Sequence, residues 1–190
     1  MNPRLKALFT VLIGSFAALS CVDPDQTQEV LLERDKEAIE KYLLENPLPS
    51  AKEYTDQFSG FYLFWEVSVD PTYNETILVA DTVRFNYTGK LLSNSVFGTS
   101  IEQVARDNNI YRESDTYEPI QIVMNDPRFG AIPGVEFALA LMRPGEKATV
   151  IFPSRLGYGS ESRPGIPPNS PLVFDLELVQ VKEGLNHLNP

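Results

Sequence analysis

Thr82-Val-Arg-Phe-Asn-Tyr-Thr88 alternates without a break: Val83, Phe85 and Tyr87 face one way, Arg84 and Asn86 the other. A period of two marks a strand with one buried face. The Ser93-Asn94 pair beyond it reads as a turn in which Asn94 takes a positive φ. Upstream, Phe61-Tyr-Leu-Phe-Trp-Glu-Val-Ser-Val69 is rich in aromatic and branched residues and closes at Asp70-Pro71. Downstream come Ile120-Gln-Ile-Val-Met124 and, after a Pro144-Gly145 turn, Ala148-Thr-Val-Ile-Phe152. In a long final strand Leu172, Phe174, Leu176 and Leu178 share one face, with Asp175 and Glu177 on the other. Two helix-like stretches interrupt the strands. One runs from Ile101 to Asn109 in an irregular segment that reaches Glu118, and the other from Val135 to Met142. The pattern predicts an α+β domain with a mostly antiparallel sheet.

Ahead of the strands, Gln28 to Glu45 is helical in pattern. Leu32, Ile39 and Leu43 recur at helical spacing, flanked by Leu31, Ala38 and Tyr42, and Glu37 and Lys41 are set to pair one turn apart. Asn46-Pro47 and Pro49 end it. This is either a docking or dimerisation helix or a spacer packed on its own domain, and amphipathic stripes usually bury themselves locally.

The N-terminus reads as an address. Arg4 and Lys6 precede the apolar run Ala7 to Leu19, then Ser20-Cys21. That is the pattern of a signal peptide, with a run shorter than the about 20 residues of a membrane-spanning helix. Ala18-Leu-Ser-Cys21 resembles a lipobox, although Ala18 stands where the usual pattern has leucine. The resemblance implies cleavage before Cys21 and acylation of that residue, and several acyl chains anchor a protein stably. The chain therefore divides into a lipoprotein signal peptide (1–20), a lipidated tether and amphipathic helix (21–57), a globular domain (58–182) and a C-terminal tail (183–190).

Charge and residue usage exclude much chemistry. The 190-residue chain carries a formal charge of −10. Losing Arg4 and Lys6 with the leader leaves 14 basic against 26 acidic residues, a net −12. Such a polyanion is repelled by phosphate backbones, so nucleic acid is excluded as a partner. Cys21 and His187 are the only cysteine and the only histidine. They leave no intramolecular disulfide, no Cys/His nucleophile, no Ser/His/Asp triad and no Cys/His zinc site. No metal and no cofactor is called for.

Val83-Arg-Phe-Asn-Tyr-Thr-Gly-Lys-Leu91, followed by Phe97, resembles the segment of FKBP-type peptidyl-prolyl isomerases in which a hydrophobic strand runs into Tyr-Thr-Gly. Ile132-Pro-Gly-Val135, Ala140-Leu-Met142 and Gly145-Glu-Lys147 resemble that family's short helix and the turn after it. Pro153 to Gly159, Pro164-Gly-Ile-Pro-Pro-Asn169 and Leu172-Val-Phe-Asp-Leu-Glu-Leu178 complete the pattern in order, over roughly 120 residues. The resemblance implies an FKBP-like fold: a twisted antiparallel sheet wrapped around one short helix, here preceded by an N-terminal helix. It implies an apolar pocket with Tyr158, Phe97 and Ile132 as catalytic residues, Ile132 through its backbone N–H. It places Tyr87, Ile120, Val135, Ile166 and Phe174 as the substrate-binding wall.

Three departures stand out. Gly98 occupies the position where active members carry an aspartate, whose side chain reaches toward the tyrosine at the Tyr158 position. Val135 replaces the usual tryptophan of the pocket floor. The segment from Ile101 to Glu118 is longer than in minimal members, resembles the expanded form of exported bacterial relatives, and lies where it would rim the pocket.

What the resemblance implies is isomerisation of X–Pro bonds in proline-containing exported clients, weakened by Gly98. The rival readings are a proline-segment-binding chaperone and an accessory lipoprotein of an envelope machine. With its lipoprotein-like leader, the chain resembles the gliding-motility-associated isomerase lipoproteins. Val22, after the cysteine, is not the aspartate of inner-membrane retention, so the expected location is the outer membrane, by way of the lipid on Cys21.

Overall fold

The computed structural model describes residues 27–69, 77–184 and 186. The signal peptide, Cys21 and His187 lie outside them.

Helix α1 (Gln28–Glu45) starts at Thr27, whose hydroxyl accepts a hydrogen bond from the Val30 N–H. It ends at Asn46, whose backbone N–H and side-chain amide both donate to the Tyr42 carbonyl, at 2.8 and 3.0 Å. Pro47 then forbids continuation. The buried stripe is Leu31, Asp35, Ile39 and Tyr42. This line is rotated from the expected Leu32–Ile39–Leu43 line, and it sets Asp35 against Ser154, in the turn that follows the sixth strand. The expected Glu37–Lys41 pair does not form: Lys41 meets Glu45 at 3.8 Å, and Lys36 meets Glu33 at 3.0 Å.

Seven strands form one antiparallel sheet: β1 (Lys52–Asp56), β2 (Phe61–Val67), β3 (Thr82–Leu91), β4 (Val96–Thr99), β5 (Ile120–Val123), β6 (Lys147–Phe152) and β7 (Leu172–Lys182). Their order is β1-β2-β6-β7-β3-β4, and β5 also pairs with β3. The long β3 is shared along its outer edge, β5 lying beside Thr82–Phe85 and β4 beside Thr88–Lys90. The sheet begins before Phe58, since β1 pairs in full register with β2, Lys52 opposite Trp65 and Asp56 opposite Phe61. β1 is almost wholly exposed, so it lacks the alternation that makes a strand legible. The Asn94 turn has the expected positive φ, 63°.

The helices divide the two faces of the sheet. Helix α2 (Glu102–Asp107) leads the irregular segment after β4. Helix α3 (Pro133–Leu141), with Pro133 suited to its first turn, packs on the face where Phe61, Val83, Phe85, Phe152, Leu172 and Leu176 form the main core. Contact is close enough that a Cβ on Gly134 would stand 2.5 Å from the Phe152 ring, so only glycine lets α3 lie there. Helix α1 covers the opposite face, where Ile39 and Tyr42 join Tyr62, Ile151 and Val173 in a second cluster. It is a helix packed on its own domain. One buried acid, Glu146, accepts from Trp65 Nε1 at 2.8 Å, from the Arg143 N–H at 2.9 Å and from Ser68 and Val69. It thereby ties the turn before β6 to β2.

Candidate active site

Between α3 and the sheet lies a hollow of about 720 Å³. The alternation of β3 sends Phe85 and Tyr87 into it, β4 adds Phe97, β5 adds Ile120, and β7 adds Phe174. The lead-in to α3 supplies Ile132, and the first turn supplies Val135. The loop after β6 closes the site with Tyr158 and Ile166. All eight side chains singled out in the sequence line this one concavity. Val135, Ile166 and Phe174 are buried at its base, whereas Ile120, 37% exposed, stands on the rim.

The wall is aromatic. Phe174 sits edge-on to Phe97 at 5.7 Å between ring centres and tilted against Tyr87 at 6.1 Å. Beneath, it stacks on the fully buried Phe152 at 5.9 Å. Such contacts fix ring positions beyond what burial alone does.

Few polar groups face the hollow, and they are well separated in kind. Glu136, in the first turn of α3, accepts from the N–H groups of Ala131 (2.9 Å) and Asn125 (3.3 Å). The next amide, the Ile132 N–H, makes no hydrogen bond among the described residues and remains a donor at the pocket lip. Likewise the Tyr158 hydroxyl makes none there. The Arg163 guanidinium lies 5.6 Å over the Tyr158 ring and donates to Glu161. Burial pushes the Tyr87 hydroxyl above its ordinary pKa, and neighbouring Tyr158 and Asp115 add to the rise.

Gly98 is not in the left-handed region, and the group that faces it is Tyr87 rather than Tyr158. A Cβ at position 98 would stand 3.5 Å from Tyr87 Oη and 3.7 Å from Cε2. The pairing with Tyr158 implied by resemblance is therefore corrected: the register sets Gly89 opposite Gly98, and Tyr87, two residues along the same face of β3, brings its ring edge and hydroxyl to Gly98.

The long segment after β4 does not line the main hollow. It walls an adjoining one of about 480 Å³ that shares Tyr87, Phe97, Gly98 and Pro164. There Tyr111 stacks on Tyr117 at 5.4 Å, and Arg106 covers Tyr111 at 3.6 Å.

Residues 74–179 match the family model of FKBP-type peptidyl-prolyl cis-trans isomerases. The chain belongs to that family. It is similar to the FKBP-type isomerase FkpA of Escherichia coli strain K12, 34% identical over 139 residues, covering 69% of this chain and 45% of the relative. The 22 kDa FKBP-type isomerase of the same organism is 39% identical over 102 residues, covering 53% and 41%. The macrophage infectivity potentiator of Trypanosoma cruzi is 34% identical over 107 residues, covering 56% and 46%. The chain thus spans less than half the length of these relatives. The crystal structure of E. coli FkpA superposes with a TM-score of 0.55 at 30% identity, over 79% of this chain and 58% of that one. A peptidyl-prolyl isomerase structure from Pseudomonas syringae gives 0.57 at 22% identity over 84% and 98%, a likeness of fold.

The hollow also holds residues that the sequence did not mark as pocket residues. Phe85 and Ile122 extend its floor, and each carries a signal in hindsight: Phe85 shares a face with Tyr87, and Ile122 with Ile120. Ala131 and Pro133 form its lip. Arg163 had no signal, because an arginine in a polar loop reads as solvated.

Proposed function

We propose that this chain catalyses cis–trans isomerisation of X–Pro bonds in exported polypeptides, with Tyr158, Phe97 and Ile132 at the reacting amide. Tyr87, Ile120, Val135, Ile166 and Phe174 hold the proline ring. The observation that carries this is an aromatic hollow whose lip carries the Ile132 N–H, a donor without a partner among the described residues. Amide resonance imposes a barrier of about 18–20 kcal/mol. A twisted amide has lost that resonance and much of its dipole, so an apolar wall favours it over the planar form. A donor at the carbonyl oxygen and the Tyr158 hydroxyl add directional stabilisation, each about 1.36 kcal/mol giving tenfold in rate. No proton transfer or nucleophile is required.

The test is isomerisation of a proline tetrapeptide, followed by line-shape or exchange NMR, with the full chain. Acceleration that a pocket-filling ligand abolishes supports the reading. Tight peptide binding without acceleration favours the second reading, a proline-segment-binding chaperone, for which Gly98 in place of an acceptor side chain is the supporting feature.

The N-terminal sequence supports a lipid anchor on Cys21, an outer-membrane location and envelope clients, in the manner of gliding-associated isomerase lipoproteins. Cys21→Ala is expected to leave the domain folded and to release it from membranes. A variant still resistant to salt extraction removes the anchor from the proposal.

A further inference from the structure

Helix α1 lies outside the segment 74–179 that matches the family, yet it reaches the loop that closes the pocket. Asp35, 1% exposed, accepts through Oδ2 from the Ser154 N–H at 2.9 Å and from the Ser154 hydroxyl. Its Oδ1 accepts from the Arg34 guanidinium at 2.9 Å. The same Arg34 nitrogen donates to the Asn169 carbonyl at 2.9 Å.

Ser154 and Asn169 are the two ends of the loop. Ser154 opens a 3-10 turn, and its carbonyl accepts from the N–H groups of Gly157 and Gly159, on either side of Tyr158. At the other end the Asn169 N–H donates to the Gly159 carbonyl at 2.7 Å. Between those ends lie Arg163, Pro164 and Ile166, all in the pocket wall. Adjacent residues of α1 therefore grip both ends. Farther along the helix, the Tyr42 hydroxyl donates to Asn94 Oδ1 at 2.8 Å, in the turn that leads to Phe97.

From this geometry we infer that α1 is a brace of the pocket and that Asp35 is a positioning residue for Tyr158. The inference rests on the isomerase reading for its kinetic consequence. A role in packing alone is filled at less cost by an aliphatic side chain, because burying a carboxylate forfeits its hydration. What a carboxylate adds is direction: two acceptor oxygens orient Ser154 and hold Arg34 for Asn169. A loop held at both ends has fewer conformations to lose when a peptide enters, which is preorganisation.

The test uses the full chain and three variants: Asp35→Ala, Asp35→Asn and Ser154→Ala. Two quantities are measured well below the melting point, kcat and KM on a proline tetrapeptide, and amide exchange along the chain. Asp35→Ala is expected to lower kcat by about tenfold or more, on the scale of a misplaced catalytic group, with a smaller change in KM. Faster exchange is expected to be confined to residues 157–169. Asp35→Asn keeps an acceptor for Ser154 and is expected to recover most of the rate. A folded Asp35→Ala variant with wild-type kcat and unchanged exchange in 157–169 overturns the inference, as does exchange that rises evenly throughout. If Asp35→Ala does not fold, Ser154→Ala, which deletes only the hydroxyl, carries the same two expectations. If the unmodified chain turns over no peptide, the isomerase reading fails by itself. The exchange of 157–169 in the variants then decides the brace.

Discussion

Gly98 faces Tyr87 across the β3–β4 pair, and a Cβ at position 98 would stand 3.5 Å from the Tyr87 hydroxyl oxygen. The space there is ordinary van der Waals room, with no clash to relieve. The backbone is outside the left-handed region, so a side chain brings no conformational strain.

Gly98→Asp is accordingly expected to fold with a melting temperature within a few degrees of the unmodified chain. The new carboxylate accepts from Tyr87 Oη and stiffens the backbone after Phe97, since glycine is the most permissive residue. Turnover of a proline peptide should rise by about threefold to tenfold, roughly 0.7–1.4 kcal/mol of barrier, with little change in peptide affinity. A folded variant with no gain in rate contradicts this account of the junction.

Tyr158→Phe and Phe97→Ala separate the two kinds of contact. The Tyr158 hydroxyl makes no hydrogen bond among the described residues, while its carbonyl accepts from the Glu161 N–H, so losing the hydroxyl should leave stability unchanged while lowering turnover. Phe97 packs edge-on to Phe174 and is half-buried. Truncating it should cost about 2–3 kcal/mol, below the roughly 3–5 of a fully buried phenylalanine, and should lower both kcat and affinity. Denaturant melts and peptide kinetics on the pair check the split; full activity in both removes these residues from the site.

Gly89→Ala probes the wall from behind. A Cβ there would lie 2.5 Å from Phe97 Cε2 and 3.0 Å from Phe174 Cε1. The half-buried Phe97 ring has the freer path, so it is expected to yield into the pocket. Overpacking of this kind costs about 1–3 kcal/mol, and turnover should fall by more than the melting temperature suggests. A ligand-binding titration showing an unaltered pocket would mean that the strain is absorbed elsewhere.

The pH profile of turnover should be flat from about pH 6 to pH 9, because the proposed mechanism moves no proton and tyrosine ordinarily ionises near 10. Tyr87 is held protonated beyond that value, chiefly by burial. Its folded pKa is raised, so its contribution to stability is complete below the unfolded value. That contribution is lost as pH rises through the folded one. At the acid end Glu177 acts in the opposite sense. The Asn86 side-chain amide, and then Lys147, hold its pKa below the usual carboxylate range. Its contribution is present above the unfolded value and lost as pH falls through the folded one. A bell-shaped rate profile near neutrality would point to an acid or base that this mechanism does not contain.

Sequence alone determined most of the sheet and the roster of the pocket. β3 and β7 were legible because one face is buried and the other is not, which writes a period of two into the residues. Helices α1 and α3 were legible from periodicity, caps and prolines. β1 was not, because an edge strand exposed along its length has nothing to alternate about. The pocket residues were named by resemblance, and their convergence needed the fold, since Tyr87, Ile132, Tyr158 and Phe174 come from four separate elements. Three matters were decided only in three dimensions: which tyrosine stands beside Gly98, which line of α1 is buried, and where Asp35 sends its carboxylate. Each depends on strand register or on docking across the sheet, with Asp35 and Ser154 separated by 119 positions. Local patterning states which face of an element is apolar; it carries no information about what that face will meet.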